Sequence, residues 1–384
     1  MADFADYYRE IYARGLGGEQ PAIPVSVAEL ESRAAEAMDP KAASYVFAGA
    51  GSETTIDANR AAFARQRIVP RMLRDVAERD LSTTLLGAQL PAPVMLAPIG
   101  VQKILHEEGE QATARAAASL GLPMIASTAS HFTMEEIAEA GGESPRWFQL
   151  YWPNDPDLLT SFVGRAEAAG YEAIVVTVDT FIPGWKPRDL QQAWLPFLEG
   201  MGNRNYMQDP VFRAGLEKTP EEDLGAATGH YLGVLANPSL TWDDLALLRE
   251  LTSLPILVKG IQHVDDAREA ARRGVDGIVV SNHGGRQVDG AIGSLDALPP
   301  IAEAVGDELA ILFDSGVRTG SDVLKALALG ADAVCIGRPY AWGLALDGQA
   351  GVETVLKMIL GEFDLTMALC GYTRPDQLTP DALQ

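Results

Sequence analysis

The chain is poor in the residues that mark several large function classes. Of its 384 residues only two are cysteine, Cys335 and Cys370. They offer neither a metal-ligand spacing nor a disulfide framework, which suits a reducing cytoplasm, and Cys335, inside the apolar run AVCIG, reads as core. Cations are scarce: 30 Lys and Arg against 53 Asp and Glu leave a formal net charge of −23. Such a field repels nucleic acid and anionic membrane surfaces, so neither is an expected partner. A small anionic ligand therefore needs a local cluster of Lys and Arg. No apolar run approaches ~18 residues, the length of a membrane span. The N-terminal stretch MADFADYYREIYARGLGG lacks a basic region followed by an apolar one, so export is not expected either. Histidine is also rare, with five in all. One of them, His283, stands in SNHGGRQVDG (281–290), between the apolar run GIVV and two glycines, with an arginine three residues later.

What the chain does have is ample core: 47% hydrophobic and 22% charged residues, the composition of a globular protein. From about residue 91, short Val/Ile/Leu-rich runs alternate with amphipathic stretches, the pattern of βα units on a parallel sheet. Eight strands are expected: 92–98, 123–128, 146–152, 173–179, 255–260, 277–282, 310–316 and 333–339. Three intervening helical stretches end in Gly shortly before the next strand (EAAGYEAIVV, ARRGVDGIVV, LALGADAVCIG), a helix-terminating signal. Eight such units without a GxGxxG turn after the first favour an α/β fold of the (β/α)8 TIM-barrel type over an open doubly wound sheet. Residues 1–90 read as a largely helical segment covering one end of a barrel that spans 91–384. Residues 180–240 far exceed the usual βα loop of roughly 2–6 residues and show no sustained period. They are expected to form a lid over the catalytic face.

In such barrels chemistry collects at the C-terminal strand ends. Here those ends carry Pro98, Ser127, Gln149 with Tyr151, Thr177 with Asp179, Lys259, Ser281 with His283, Asp314, and Gly337 with Arg338. Polar groups at all eight ends outweigh the bland reading of any one as a cap. His283, which titrates near neutral pH, is the candidate base, and Asp179 the carboxylate that orients it, with a helix N-cap as the rival reading. Arg286 suits bidentate binding of a carboxylate; the alternative is a surface pair with Asp289. Lys259, closing PILVK, calls for an anion. Either a Schiff base or charge stabilisation on a cofactor ring would use it. DSGVRTG (314–320) and IGRP (336–339) follow the last two strands, where barrels commonly bind phosphate, and Arg318 and Arg338 add charge.

With these residues in view, the sequence resembles the FMN-dependent L-2-hydroxy acid oxidising family, which includes glycolate oxidase, lactate oxidase and lactate 2-monooxygenase. LAPIG, AST, WFQLY, VTVD, LVKG, SNHGGRQVDG, FDSGVRTG and IGRPYAWG occur in the family's order, and the similarity runs from SYVFAGAGSE to GYTRPDQL. The resemblance implies an FMN cofactor, a small anionic 2-hydroxy acid substrate with O2 as acceptor, and a homo-oligomer of four or more subunits; the cysteine usage makes the cytoplasm its expected location. It makes His283 the base, paired with Asp179. Arg286 and Tyr45 would bind the substrate carboxylate, and Tyr151 a substrate oxygen. Lys259 would lie against the flavin N1 and C2 carbonyl, with Pro98, Ile99, Gly100, Ser127, Gln149, Thr177 and Ser281 lining the ring. Asp314 would take the ribityl chain, and Gly316, Arg318, Gly337 and Arg338 the phosphate. The family's usual second carboxylate-binding arginine, seven residues after the strand-four aspartate, is Lys186 here. Lysine keeps the charge and loses the fork; Arg188 is a candidate substitute, or both simply decorate the lid. GWKPRDL, the long segment after it and GRPYAWGLA resemble the lactate 2-monooxygenase branch. The rivals are an oxidase that releases its product, a Schiff-base lyase on Lys259, and a flavin-binding barrel that has lost turnover.

Overall fold

A computed structural model describes residues 4–384. Its ten strands are an antiparallel hairpin, β1 (Thr83–Leu85) and β2 (Ala88–Leu90), and eight parallel strands. These are β3 (Val94–Leu96), β4 (Met124–Ser127), β5 (Arg146–Leu150), β6 (Ile174–Thr177), β7 (Ile256–Ile261), β8 (Gly277–Val280), β9 (Ala310–Phe313) and β10 (Ala333–Ile336). The eight close into a barrel, β10 pairing with β3 through Val334↔Val94, Cys335↔Met95 and Ile336↔Leu96. Seven lie inside the run that composition marks and β7 passes the end of its run (255–260) by one residue, Ile261; the closing pair rules out the open sheet.

Strand periodicity explains how the barrel builds its mouth. Alternate residues face opposite sides. Val94, Leu96, Ile174, Val176, Ile256 and Val258 pack outward under the helices, while Met95, Ile125, Trp147, Val175, Leu257, Val279, Leu312 and Cys335 form a separate inner plug. Two residues further along each strand, on the same face, come Ala97, Ser127, Gln149, Thr177, Lys259, Ser281, Asp314 and Gly337. One apolar layer is thus capped by one predominantly polar layer at the C-terminal end, as the filling of such barrels requires.

The other end of the plug is closed by the hairpin, whose Leu85 and Leu90 pack on it. Its two-residue turn, Leu86–Gly87, has both φ angles positive (49° and 84°). Leucine at the first position hides this turn from sequence, because Asn or Asp is the usual signal. The first 90 residues therefore hold a hairpin besides their helices Asp6–Gly15, Val27–Ala37, Pro40–Phe47 and Thr54–Arg65.

The stretch 180–240 differs from the loop that its composition suggests. It carries the helices Pro187–Gln192, Arg204–Met207, Pro210–Ala214 and Leu224–Leu235, most of them too short to register as a period. Two start at Pro; Asp209 accepts backbone N–H bonds at the start of one of these, Pro210–Ala214, and Asp223 accepts one at the start of Leu224–Leu235. The insert is docked on the helix Pro156–Ala168: Tyr206 stacks edge-on to Phe162 at 4.8 Å, and buried Asp209 receives Arg165 at 2.9 Å and Ser161 at 2.7 Å. No helix among the described residues is long and apolar enough to cross a membrane.

Candidate active site

The polar layer at the mouth is a chain of hydrogen bonds passed between strands. Ser127 Oγ donates to Gln149 Oε1 at 3.1 Å, and Gln149 Nε2 to Thr177 Oγ1 at 3.0 Å. Lys259, in register with Thr177, donates to Ser281 Oγ at 2.8 Å and meets Asp314 Oδ2 at 3.1 Å. Burial lowers the Lys259 pKa, but the Asp314 and Asp179 carboxylates outweigh it, so the net shift is upward. A permanently protonated amine is a charge stabiliser and a poor Schiff-base nucleophile.

His283 owes its direction to an unusual turn. His283, Gly284 and Gly285 all have positive φ (57°, 65° and 79°), a conformation costly for histidine. Each N–H is taken by a side-chain oxygen at 3.0 Å: Ser281 Oγ, Ser315 Oγ and Asn282 Oδ1 respectively. The two glycines answer why histidine is followed by GG. Besides the positive φ, a Cβ on Gly284 would lie 2.9 Å from Arg338 Nη1, and one on Gly285 2.8 Å from Ile56. The ring Nδ1 lies 2.8 Å from Asp179 Oδ1, which also accepts Thr180 Oγ1 at 2.8 Å. Burial pushes the Asp179 pKa up, but the His283 and Lys259 charges win and hold it at about 2. The carboxylate is therefore ionised, Nδ1 carries the proton, and Nε2 keeps its lone pair. Burial lowers the His283 pKa against the pull of Asp179, with Lys259 and Arg286 adding to the lowering, so the resting ring is neutral. The N-cap reading of Asp179 has no support here.

Arg286 does not pair with Asp289, which instead accepts Ser52 N, Thr54 N and Thr54 Oγ1 at the start of the helix Thr54–Arg65. Its Nη1 donates to Tyr45 O and Ala48 O at 2.7 and 2.8 Å, and its guanidinium stands 5.2 Å over the Tyr45 ring. These carbonyls belong to the end of the helix Pro40–Phe47, where the backbone lacks donors and favours cations. Lys186 shares this field: burial and then Arg286 lower its pKa to about 8. Arg188 does not substitute for it, because its half-exposed guanidinium is paired with Glu53 Oε2 at 2.5 Å. Tyr151 and Tyr45 have phenols raised by burial and remain neutral donors.

At the ends of β9 and β10, Arg318 and Arg338 have no carboxylate within ion-pair distance among the described residues. Arg318 donates to Val317 O and lies 4.9 Å over the Trp342 ring; Arg338 donates to Val46 O, Gly284 O and Ala48 O. Burial lowers the Arg318 pKa to about 10 and drives that of Arg338 well down, with Arg286 and Arg318 adding repulsion. Gly337 precedes the helix Arg338–Leu369 with no side-chain cap, and a Cβ added to it would meet nothing nearer than Ala97 Cβ at 4.0 Å. A buried and a partly buried guanidinium, neither paired with a carboxylate, beside an uncapped helix start fit a phosphate, and Lys259 fits the electron-rich edge of a flavin ring. Gly316, by contrast, is packed on Asn59, 2.9 Å from its side chain were a Cβ added. Pro98, Ile99 and Gly100 follow β3 and are partly buried; Gly100 backs on Ala129 and Ser127.

Four supporting residues escaped sequence reasoning. Thr180 and Ser315 adjoin singled-out residues and hold their geometry. Asn282 exchanges two amide hydrogen bonds with Asn59, at 2.9 and 2.7 Å, tying the histidine turn to the N-terminal segment. Asn282 lies within SNHGG, so its place beside His283 was the available signal; Asn59, 223 residues away, had none.

Known proteins share this arrangement over almost the whole chain. The FMN-dependent dehydrogenase family model matches residues 34–384. The chain is 47% identical to an L-lactate oxidase of Lysinibacillus sphaericus over 92% of its own length and 91% of the relative's. It is 44% identical to human 2-hydroxyacid oxidase 1, over 90% and 93%. The crystal structure of mandelate oxidase superposes with a TM-score of 0.83 at 38% identity, covering 94% of this chain and 98% of that one. The chain therefore belongs to the FMN-dependent dehydrogenase family, and FMN is its cofactor.

Proposed function

We propose that the protein oxidises a small L-2-hydroxy acid, lactate first among candidates, to the 2-keto acid with O2 as acceptor. We further propose that it retains the product long enough for oxidative decarboxylation, as a lactate 2-monooxygenase does. The observation that carries the reading is the Asp179–His283 pair, 2.8 Å apart with Nε2 left basic, next to the cations Arg286 and Lys186. When bound, FMN supplies a two-electron acceptor that O2 can reoxidise.

Arg286, Lys186 and Tyr45 bind the carboxylate and thereby fix which face of C2 is presented. Tyr151 hydrogen-bonds the C2 oxygen. His283 Nε2 takes a proton from the substrate, and the Asp179 carboxylate stabilises the imidazolium formed. Asp314 and Ser281 hold the Lys259 ammonium in place, where it would set a fixed positive charge against the flavin N1 and C2 carbonyl. Arg318, Arg338 and the backbone of Gly316 and Gly337 would hold the phosphate, Asp314 the ribityl chain, and Pro98, Ile99, Gly100, Ser127, Gln149 and Thr177 would border the ring. Retention separates the two outcomes. Keto acid that meets hydrogen peroxide inside the chamber becomes the shorter acid, CO2 and water; keto acid released first leaves with peroxide, as in an oxidase. The helical insert supports retention, since it covers the catalytic face with an ordered core. The free, buried cysteines support a cytoplasmic home, and the assembly is proposed to be a tetramer or larger.

The test is anaerobic mixing of the FMN-loaded protein with L-lactate, followed by air. Bleaching and then acetate support the reading. Bleaching followed by pyruvate and peroxide gives the oxidase. An unbleached flavin across a panel of 2-hydroxy acids sinks both.

A further inference from the structure

The insert concentrates buried polar atoms that the protein does not satisfy. Asn203 Oδ1, Tyr206 OH, Thr228 Oγ1 and Tyr231 OH have no hydrogen-bond partner among the described residues. Tyr206 and Tyr231 have no exposed surface, and their rings meet edge to face at 4.8 Å and 78°. Phe162 and Phe212 pack on Tyr206, and Phe197 on Tyr231. The rings are thus fully provided for; the hydroxyls alone are not.

The short helix that carries Tyr206 adjoins the candidate site: Asn205 Nδ2 donates to Thr128 O at 3.0 Å, and Thr128 Oγ1 accepts the N–H of Tyr151 at 3.0 Å. Burial raises the pKa of the Tyr206 and Tyr231 phenols, and Tyr151 adds to the rise in both. Two partly buried phenols, Tyr45 from the helix Pro40–Phe47 and Tyr151 just past β5, thus lie on the side of the insert that holds the two fully buried ones. An orphaned buried hydroxyl is destabilising, whereas phenylalanine would keep the ring packing and remove the penalty. Two unpartnered hydroxyls on neighbouring rings make sense if a ligand meets them.

We infer that Tyr206 and Tyr231 are specificity-determining residues that hydrogen-bond a hydroxyl on C3 of the substrate. The preferred substrate class is then a 2,3-dihydroxy acid such as L-glycerate, ahead of its 3-deoxy analogue lactate. This rests on the proposed 2-hydroxy acid oxidation and names its substrate more narrowly. With the C1 carboxylate on Arg286, Lys186 and Tyr45, and the C2 oxygen on Tyr151 and His283, the substituent beyond C2 is the part left to face the insert. Neutral phenols suit a hydroxyl there; a second carboxylate would need a cation, and neither tyrosine supplies one. A site built to hydrogen-bond a substrate hydroxyl discriminates against the analogue lacking it, because its own polar groups are then left unpaired.

The experiment compares kcat/KM for L-glycerate and L-lactate in the FMN-loaded wild type, Tyr206→Phe, Tyr231→Phe and the double variant, with melting temperatures alongside. The expected result is a wild-type ratio in favour of glycerate that falls about tenfold in at least one single variant, with melting temperatures equal to or above wild type. A ratio that favours lactate in the wild type, or that is unmoved in every variant, overturns the inference. So does a drop in melting temperature with an unmoved ratio, which would assign the hydroxyls a structural role. Failure of the underlying oxidation is distinguishable, because neither acid would then bleach the wild-type flavin.

Discussion

The barrel mouth and the insert above it both bury polar side chains, but they treat them differently. At the mouth, Ser127, Gln149, Thr177, Lys259, Ser281 and Asp314 pass hydrogen bonds across strands, and the His283 turn has its three N–H groups taken by side chains. Asp179 Oδ2 is the exception beside that turn, whereas in the insert four buried polar atoms go without partners among the described residues, two of them the hydroxyls of an aromatic cluster. A satisfied layer holds fixed charges in place before any ligand arrives, which is what a charge-stabilising site needs. An unsatisfied one gains most when something binds. The mouth is therefore the part of the molecule suited to common chemistry, and the insert the part suited to choosing among substrates.

The most severe way to break the mouth is to remove its base. His283→Ala is expected to slow flavin reduction by L-lactate by about 10²–10⁴-fold, the usual worth of a positioned general base. Stopped-flow bleaching reads this, and fast reduction in the variant would place the base elsewhere. The pH profile sharpens the assignment. Because the His283 pKa is lowered, the wild-type rate should rise with pH and level off below the range of a free histidine. Asp179→Asn removes the attraction that keeps the imidazolium accessible, so whatever activity survives should show its acid limb at still lower pH.

Next in size is the buried ion pair. Lys259→Met leaves Asp314 and its charge without their cation, a loss of about 3–5 kcal/mol in such settings. Lys259→Met with Asp314→Asn should recover most of that in urea denaturation at saturating FMN, although neither variant should reduce its flavin normally. Equal stability of the single and double variants would mean that the pair is not the structural unit proposed.

The two regions also differ in how far the sequence disclosed them. The mouth was legible because a strand alternates with period two. A Val, Ile or Leu run ending in Thr177, Lys259 or Ser281 announces both the strand and the residue that stands on its end. The partner of each was not legible: nothing local to Asp314 says that it holds Lys259, and nothing local to Asn59 says that it meets Asn282 across 223 residues. The insert was misread as a loop because helices of four to six residues complete too few turns to show a period. The partner of Arg188 was hidden for a related reason. Two residues from Lys186 places it on a different side of the chain, and there it finds Glu53.

Lys186 connects the two regions and offers a smaller effect. With its pKa lowered to about 8, it should lose its charge in mildly alkaline solution. The kcat/KM for lactate would then fall roughly fivefold between pH 8 and 9 if binding requires the ammonium, as expected for one group titrating near that value. Lys186→Arg, which stays charged and restores a fork, should flatten that fall. An unchanged alkaline limb, together with unchanged affinity and substrate preference, would remove Lys186 from the carboxylate site.

The smallest expected effect lies where the insert is tied to the N-terminal segment. Gly51 N–H donates to Trp185 O at 2.8 Å, Glu53 Oε1 accepts Gly49 N–H at 2.9 Å, and Glu53 Oε2 takes Arg188. Arg188→Ala removes only the ion pair, whose half-exposed arginine limits its worth to about 1 kcal/mol or less, while the Gly51–Trp185 bond keeps the insert docked. Stability should barely move. Product release should respond more, since a pair too weak to matter for folding can still bias how often a cover opens. In air the variant should yield less acetate and more pyruvate with peroxide than wild type, by a few-fold at most, with the anaerobic reduction rate close to wild type. Glu53→Gln should shift the partition in the same direction, and Glu53→Gln with Arg188→Ala should go no further than either alone. Additive shifts would mean that the two side chains act separately, and an unmoved partition that the tie has no part in retention.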